Sequence, residues 1–169
     1  MDYHYRGRNK GLTDGVNLLI SILVRYPQVS TINFEPQKGT LRFNFIFNYS
    51  SKEPKNIIKL LQSSIDTYHM LEGKKARVVL IDYNIKDDYT VINIERDTDS
   101  LNLEEISLIV QCLQQSVKTN IIIENIGDEE DLYMHEELIE AMLENVRYCN
   151  EEKPLFAFRE EGRVLVFNK

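Results

Sequence analysis

The sequence predicts an α+β domain, and three stretches carry that reading. Residues Thr40–Asn48 alternate strictly, with Leu41, Phe43, Phe45 and Phe47 on one side and Arg42, Asn44, Ile46 and Asn48 on the other. Residues 54–73 open on Pro54, close on Gly73, and between them place Ile57, Ile58, Leu61, Ile65 and Tyr68 at helical spacing. The chain ends with Leu155–Phe158 and Val164–Phe167 on either side of Arg159-Glu160-Glu161-Gly162-Arg163, a hairpin signal.

Residues 1–11 are rich in Tyr3, His4, Tyr5, Arg6, Arg8 and Lys10 and are expected to form a flexible basic arm, with 12–169 as a single domain. A helix begins near Thr13 or Asp14, both good N-cap residues, and Pro27 ends it. Its face is Leu12, Val16, Leu19, Ile20 and Leu23. Leu18, Ile22 and Val24 widen the stripe beyond what a surface helix needs, so the helix should be covered on most sides. Val29–Glu35 reads as a strand, and Pro36-Gln37-Lys38-Gly39 as the turn into the alternating strand. Gly73 supplies the left-handed stop of the second helix, whose wet face should hold Lys55, Lys59, Gln62, Asp66 and His69.

Ala76–Tyr83 and Tyr89–Arg96 follow as two strands joined by Asn84-Ile85-Lys86-Asp87-Asp88. A third helix spans Leu103 to Val117, with Leu103, Ile106, Val110, Leu113 and Val117 inward. Asn120–Ile126, with its run Ile121-Ile122-Ile123, reads as a strand covered on both faces. A fourth helix covers Glu130–Arg147, with Leu132, Leu138, Ile139, Met142 and Val146 inward.

The predicted order is α-β-β-α-β-β-α-β-α-β-β. Residues 40 to 126 then form βαββαβ, the ferredoxin-like order, with an N-terminal α-β and a C-terminal α-β-β elaboration. Successive α-β-β units are the other grouping, but no residue-level identity between units establishes a repeat.

The chain has 169 residues, 28% charged, with net charge −7, which argues against a broad basic face for duplex DNA. The charge is uneven. Residues 97–152 hold fifteen carboxylates against Lys118 and Arg147, while residues 1–96 are net basic. Asp128, Glu129, Glu130 and Asp131, with Glu136, Glu137, Glu140 and Glu144, are the candidate acidic docking surface. Arg6, Arg8, Lys10, Lys55 and Lys59 are the candidate basic surface. Solvated helix faces account for such runs when no partner exists.

No catalytic, cofactor-binding or metal-ligating set is assigned, and no cofactor is expected. The phosphate loops G-x-x-x-x-G-K-[ST] and G-x-G-x-x-G are missing. His135-Glu136 opens a zincin-like pattern, but position 139 is Ile. Asp97-Thr98-Asp99 resembles the start of a calcium loop, yet Leu101 and Asn102 stand where a ligand and a glycine are needed, so a helix start capped by Asp99, Ser100 or Asn102 fits better. Cys112 and Cys149 lie far apart within apolar periodic stretches, as expected for reduced thiols in a cytoplasmic protein. Asp82, at the end of an apolar strand, is the one mild catalytic candidate; His69 and His135 read as helix-surface residues.

The apolar run Leu18–Val24 is far shorter than the roughly 20 residues that span a bilayer, so no membrane partner is expected. The expected function is a non-catalytic interaction or regulatory domain acting through protein–protein contact with a partner or with itself. The alternative is an RNA-binding accessory protein using the basic arm and the Lys-rich second helix.

Overall fold

The structure, a computed structural model, describes residues 3–6, 14–48, 53–117, 129–147 and 153–168; for Tyr3–Arg6 and Glu129–Leu132 it describes the backbone alone. The elements in order are β1 (Tyr3–Arg6), α1 (Asp14–Arg25), β2 (Thr31–Glu35), β3 (Thr40–Phe47), α2 (Pro54–Glu72), β4 (Val79–Lys86), β5 (Tyr89–Asp97), α3 (Leu103–Val117), α4 (Glu129–Val146), β6 (Leu155–Glu160) and β7 (Arg163–Asn168). They form a mixed helix-and-sheet fold around one seven-stranded sheet, ordered β1-β7-β6-β2-β3-β5-β4.

Local chemistry explains most boundaries. Pro54 stands at the first turn of α2, where its missing N–H is no loss. Gly73, at φ 64°, ends the helix, with the Lys74 N–H on the His69 carbonyl (2.9 Å) and the Gly73 N–H on that of Met70 (3.3 Å). Asn102 caps α3, its Oδ1 accepting the Glu105 N–H at 2.9 Å. The β6–β7 hairpin tightens to a two-residue loop, Glu161-Gly162, both at positive φ (51° and 75°), as the twist of paired strands favours. The β4–β5 loop shortens in the same way to Asp87-Asp88, so residues 84–86, expected in a loop, extend β4.

Register places one continuous apolar face beneath the helices. Phe43 lies between Ile32 of β2 and Ile94 of β5, and Phe45 opposite Ile92. Leu41, Phe43, Phe45 and Phe47 are all buried in the core, which places the β3 phenylalanines against the helix layer. Phe156, Phe158 and Phe167 lie half-buried on the other face; Phe158 and Phe167 stack with ring centroids 5.6 Å apart. The helix α1 is covered as its wide stripe requires, packed on β7, β6 and β2 below and α4 above. Its C-terminal carbonyls are satisfied by Arg159 of β6, which donates to the Leu23 oxygen (2.8 Å) and the Tyr26 oxygen (3.0 Å).

Three expectations are corrected. The segment β3-α2-β4-β5 keeps the split arrangement of a ferredoxin-like unit, with β5 between β3 and β4, but β2 holds the place beside β3 where that order puts the strand after α3. The short turn Pro36–Gly39 makes β2 the natural neighbour of β3, which excludes a more distant strand. Residues 3–6, expected in the arm, form an edge strand parallel to β7. Leu138, expected inward on α4, is 38% exposed. The predicted strand Asn120–Ile126 lies outside the described residues.

Candidate functional site

The α4 helix is amphipathic in an unusual sense. His135, Ile139, Leu143 and Val146 face α1 and the core, following a spacing of four, four and three. The His135 ring meets Ser21 Oγ of α1 through Nδ1 at 3.1 Å, so this histidine is buried rather than on the helix surface as expected. On the outward side Tyr133 is 65% exposed, Met134 50% and Leu138 38%. Glu137, Glu140 and Glu144 are exposed beside them. Large apolar side chains and like-charged carboxylates therefore share one solvent-facing surface, which hydration alone does not favour.

The predicted acidic surface separates into parts. Glu137, Glu140 and Glu144 are exposed on this surface with no ion pair among the described residues, whereas Glu136 turns aside to an ion pair with Arg25 Nε at 2.5 Å. That pair ties α4 to the end of α1, where the Arg25 guanidinium also lies 4.8 Å over the Tyr26 ring. Glu129, Glu130 and Asp131 are in the first turns of α4, and Asp128 lies outside the described residues. Of the basic set, Lys55 and Lys59 are exposed on α2, and Arg6 is paired with Phe167 in the β1–β7 register. Arg8 and Lys10 lie outside the described residues.

A second constellation, missed in the sequence, is built around Arg96. Strand alternation carries Arg96 onto the apolar face of β5 with Ile92 and Ile94, and it is fully buried. All five of its donors are used. Nε and Nη2 fork onto Glu105 of α3 (2.5 and 2.9 Å), Nη1 reaches Asp97 Oδ1 (2.5 Å) and the Val78 carbonyl (2.8 Å), and Nη2 also reaches Ser100 Oγ (2.9 Å). His69 of α2 completes the group, its Nε2–H donating to Glu105 Oε1 at 2.5 Å. Expected on the wet face with Asp66, His69 is instead buried, because a ladder of four-residue steps through Ile57, Leu61 and Ile65 rotates it under the helix.

Asp97 is held as tightly. Its Oδ1 also accepts the N–H groups of Arg77 (3.0 Å) and Val78 (2.9 Å), and Oδ2 accepts the N–H and hydroxyl of Ser100. Burial works to raise its pKa, but these hydrogen bonds and the Arg96 charge outweigh it and hold the carboxyl at about 2. A depressed carboxylate stabilises the fold above its unfolded value and loses that stability as pH falls through the folded value. Asp97 is therefore expected to contribute about 2 kcal/mol at neutral pH, lost between roughly pH 4 and 2. Asp97→Asn should flatten the urea-stability profile over that window, and an unchanged acid limb would refute the assignment.

With all five of its donors engaged, Arg96 is fully buried at the centre of this group. It joins β5, α3, α2 and the β4 entry into one unit. Asp82 is not at a strand end but midway along β4, with its side chain largely exposed, accepting from Asn93 Nδ2 at 2.7 Å in a relay that begins at Asn44. Among the described residues no nucleophile or base adjoins it. Cys112 is partly exposed and its thiol approaches Ser64 Oγ at 3.4 Å; Cys149 lies outside the described residues. Among the described residues no cluster of His, Cys, Asp and Glu is arranged to hold a metal ion, and no helix is long and apolar enough to cross a membrane. An open groove of about 390 Å³ runs between α2 and α3, lined by Ser63, Ser64, Thr67, Tyr68, Leu71 and Leu108.

Comparison with protein-family models, with curated proteins and with solved structures gave no match for this chain.

Proposed function

We propose that this protein is a non-catalytic interaction domain whose α4 surface receives a positively charged, amphipathic polypeptide segment. The observation that carries this reading is the joint exposure of Tyr133, Met134 and Leu138 with Glu137, Glu140 and Glu144 on one helix. The apolar side chains supply buried area, and the carboxylates select a basic partner and speed its approach. The rigid attachment of α4 through Ile139, Leu143, His135 and the Arg25–Glu136 pair presents this surface without reorganisation. A cytoplasmic setting belongs to the same proposal, supported by a free Cys112 thiol packed against the core. Likeness to the ferredoxin-like order is limited to the split arrangement of β3, β4 and β5.

The test uses a synthetic amphipathic peptide of leucine and lysine, its glutamate counterpart and a uridine oligonucleotide, each followed by fluorescence anisotropy. The lysine peptide alone should bind, and its affinity should fall at least about tenfold between about 50 and about 500 mM salt. Glu137→Lys with Glu140→Lys should remove a comparable factor. Absence of peptide binding at low salt, or preference for the oligonucleotide, would overturn the reading.

A further inference from the structure

The β4 strand ends the sheet, eight residues long, with no strand on its outer side among the described residues. Such an edge presents a row of open N–H and C=O groups, and natural proteins cover or blunt it. Here it is neither short nor interrupted by proline, and it exposes Leu80 (58%) and Ile85 (62%).

We propose that a second copy of this chain pairs its β4 antiparallel to this β4 about a two-fold axis near Asn84, continuing the sheet across both molecules. The strand is complementary to itself in that register. Asp82 falls opposite Lys86 of the second copy on the open face, and Tyr83 falls opposite Ile85 of the second copy on the helix face, twice over by symmetry. Pairing centred on Asp82 would instead set two carboxylates against each other.

The helix above the edge gives an independent argument for the same partner. The helix α2 packs on β4. Its Ile57, Leu61 and Ile65 are buried, while Ser64 and Tyr68 contact α3 residues Cys112 and Glu104. Lys59 and Asp66 are exposed on the flank turned from α3. Around a two-fold axis like flanks of antiparallel helices meet, so Lys59 of each copy faces Asp66 of the other. The levels agree. From Val79 to Asn84 is about 17 Å along the strand. The same distance back from Glu72 along α2 falls near residue 61, between Lys59 and Asp66. One axis thus satisfies the strand register and the helix charges together. The inference does not rest on the α4 surface.

The test is sedimentation velocity of the full chain from about 1 to about 100 µM, with amide exchange of Val79–Lys86. The wild type should dimerise, and its β4 amides should gain protection as concentration rises. Lys59→Glu and Asp66→Lys, both exposed and tolerable to the fold, should each weaken the dimer at least about tenfold. An equimolar mixture of the two variants should recover it. In the mixed dimer the introduced glutamate of one copy faces the introduced lysine of the other, and the remaining Lys59 and Asp66 still face each other. A monomer at the highest concentration would overturn the proposal, as would a dimer indifferent to both variants. A dimer broken by Glu137→Lys but not by Lys59→Glu would move the contact to α4 and equally defeat it.

Discussion

Arg96→Met should destabilise the fold by about 3–5 kcal/mol, a large part of the roughly 5–15 kcal/mol that holds a domain together. The loss is not the worth of one ion pair in water. It comes from leaving Glu105 fully buried with, among the described residues, His69 alone on its carboxylate, and from removing one of the partners that keep Asp97 ionised. The sign of the rescue distinguishes this from simple loss of packing. Arg96→Met combined with Glu105→Leu should recover much of the stability, because a buried pair replaced by apolar groups of similar volume is often close to neutral. Arg96→Lys keeps the charge but cannot reproduce the two-pronged contact with Glu105, and should fall between the wild type and Arg96→Met. Urea midpoints of the four proteins decide the matter. A cost below about 1 kcal/mol for Arg96→Met would show that water reaches the site and replaces the guanidinium.

Phe43→Ala is expected to cost a similar amount, about 3–5 kcal/mol, for a different reason. Phe43 lies at the centre of β3 with Ile32 and Ile94 in register on either side, and the helix layer closes above it. Removing the ring opens a void that two paired strands cannot collapse to fill. Phe158→Ala provides the contrast on the same sheet. That ring is half-buried on the opposite face, stacked on Phe167 and tilted against Phe156, so its loss should cost about 1 kcal/mol. Equal costs for the two, measured by urea denaturation, would contradict the assignment of faces.

Which parts of this fold could be read from the chain depended on how local their causes are. The Leu103–Val117 helix and the Pro54 and Gly73 limits of α2 follow from neighbouring residues, and the structure reproduces them. The pairing of β2 with β6 does not, because no local pattern says which strand will sit beside Thr31–Phe34. The Arg96 group was partly visible: alternation with Ile92 and Ile94 already set a guanidinium on an apolar face, which demands carboxylate partners. Glu105 and His69 could not be named as those partners, since they come from two other helices. For α4, the exposure of Glu137, Glu140 and Glu144 was legible from the charge pattern. The exposure of Leu138 was not, as a helix with apolar residues on several sides leaves its inward direction open until α1 is in place.

The central position of β2 has a consequence for how the protein is made. Phe34 pairs on one side with Leu41, a few residues away, and on the other with Leu155, about 120 residues later. A ribosome adding about 5–20 residues per second would leave that second side open for roughly 6–24 s. Through most of that interval the first hairpin and α1 carry an uncovered apolar surface, since α4 is complete only at Val146 and β6 and β7 follow it. A nascent chain arrested before Leu155 should therefore be a chaperone client, and release of the last two strands should be the event that ends its dependence.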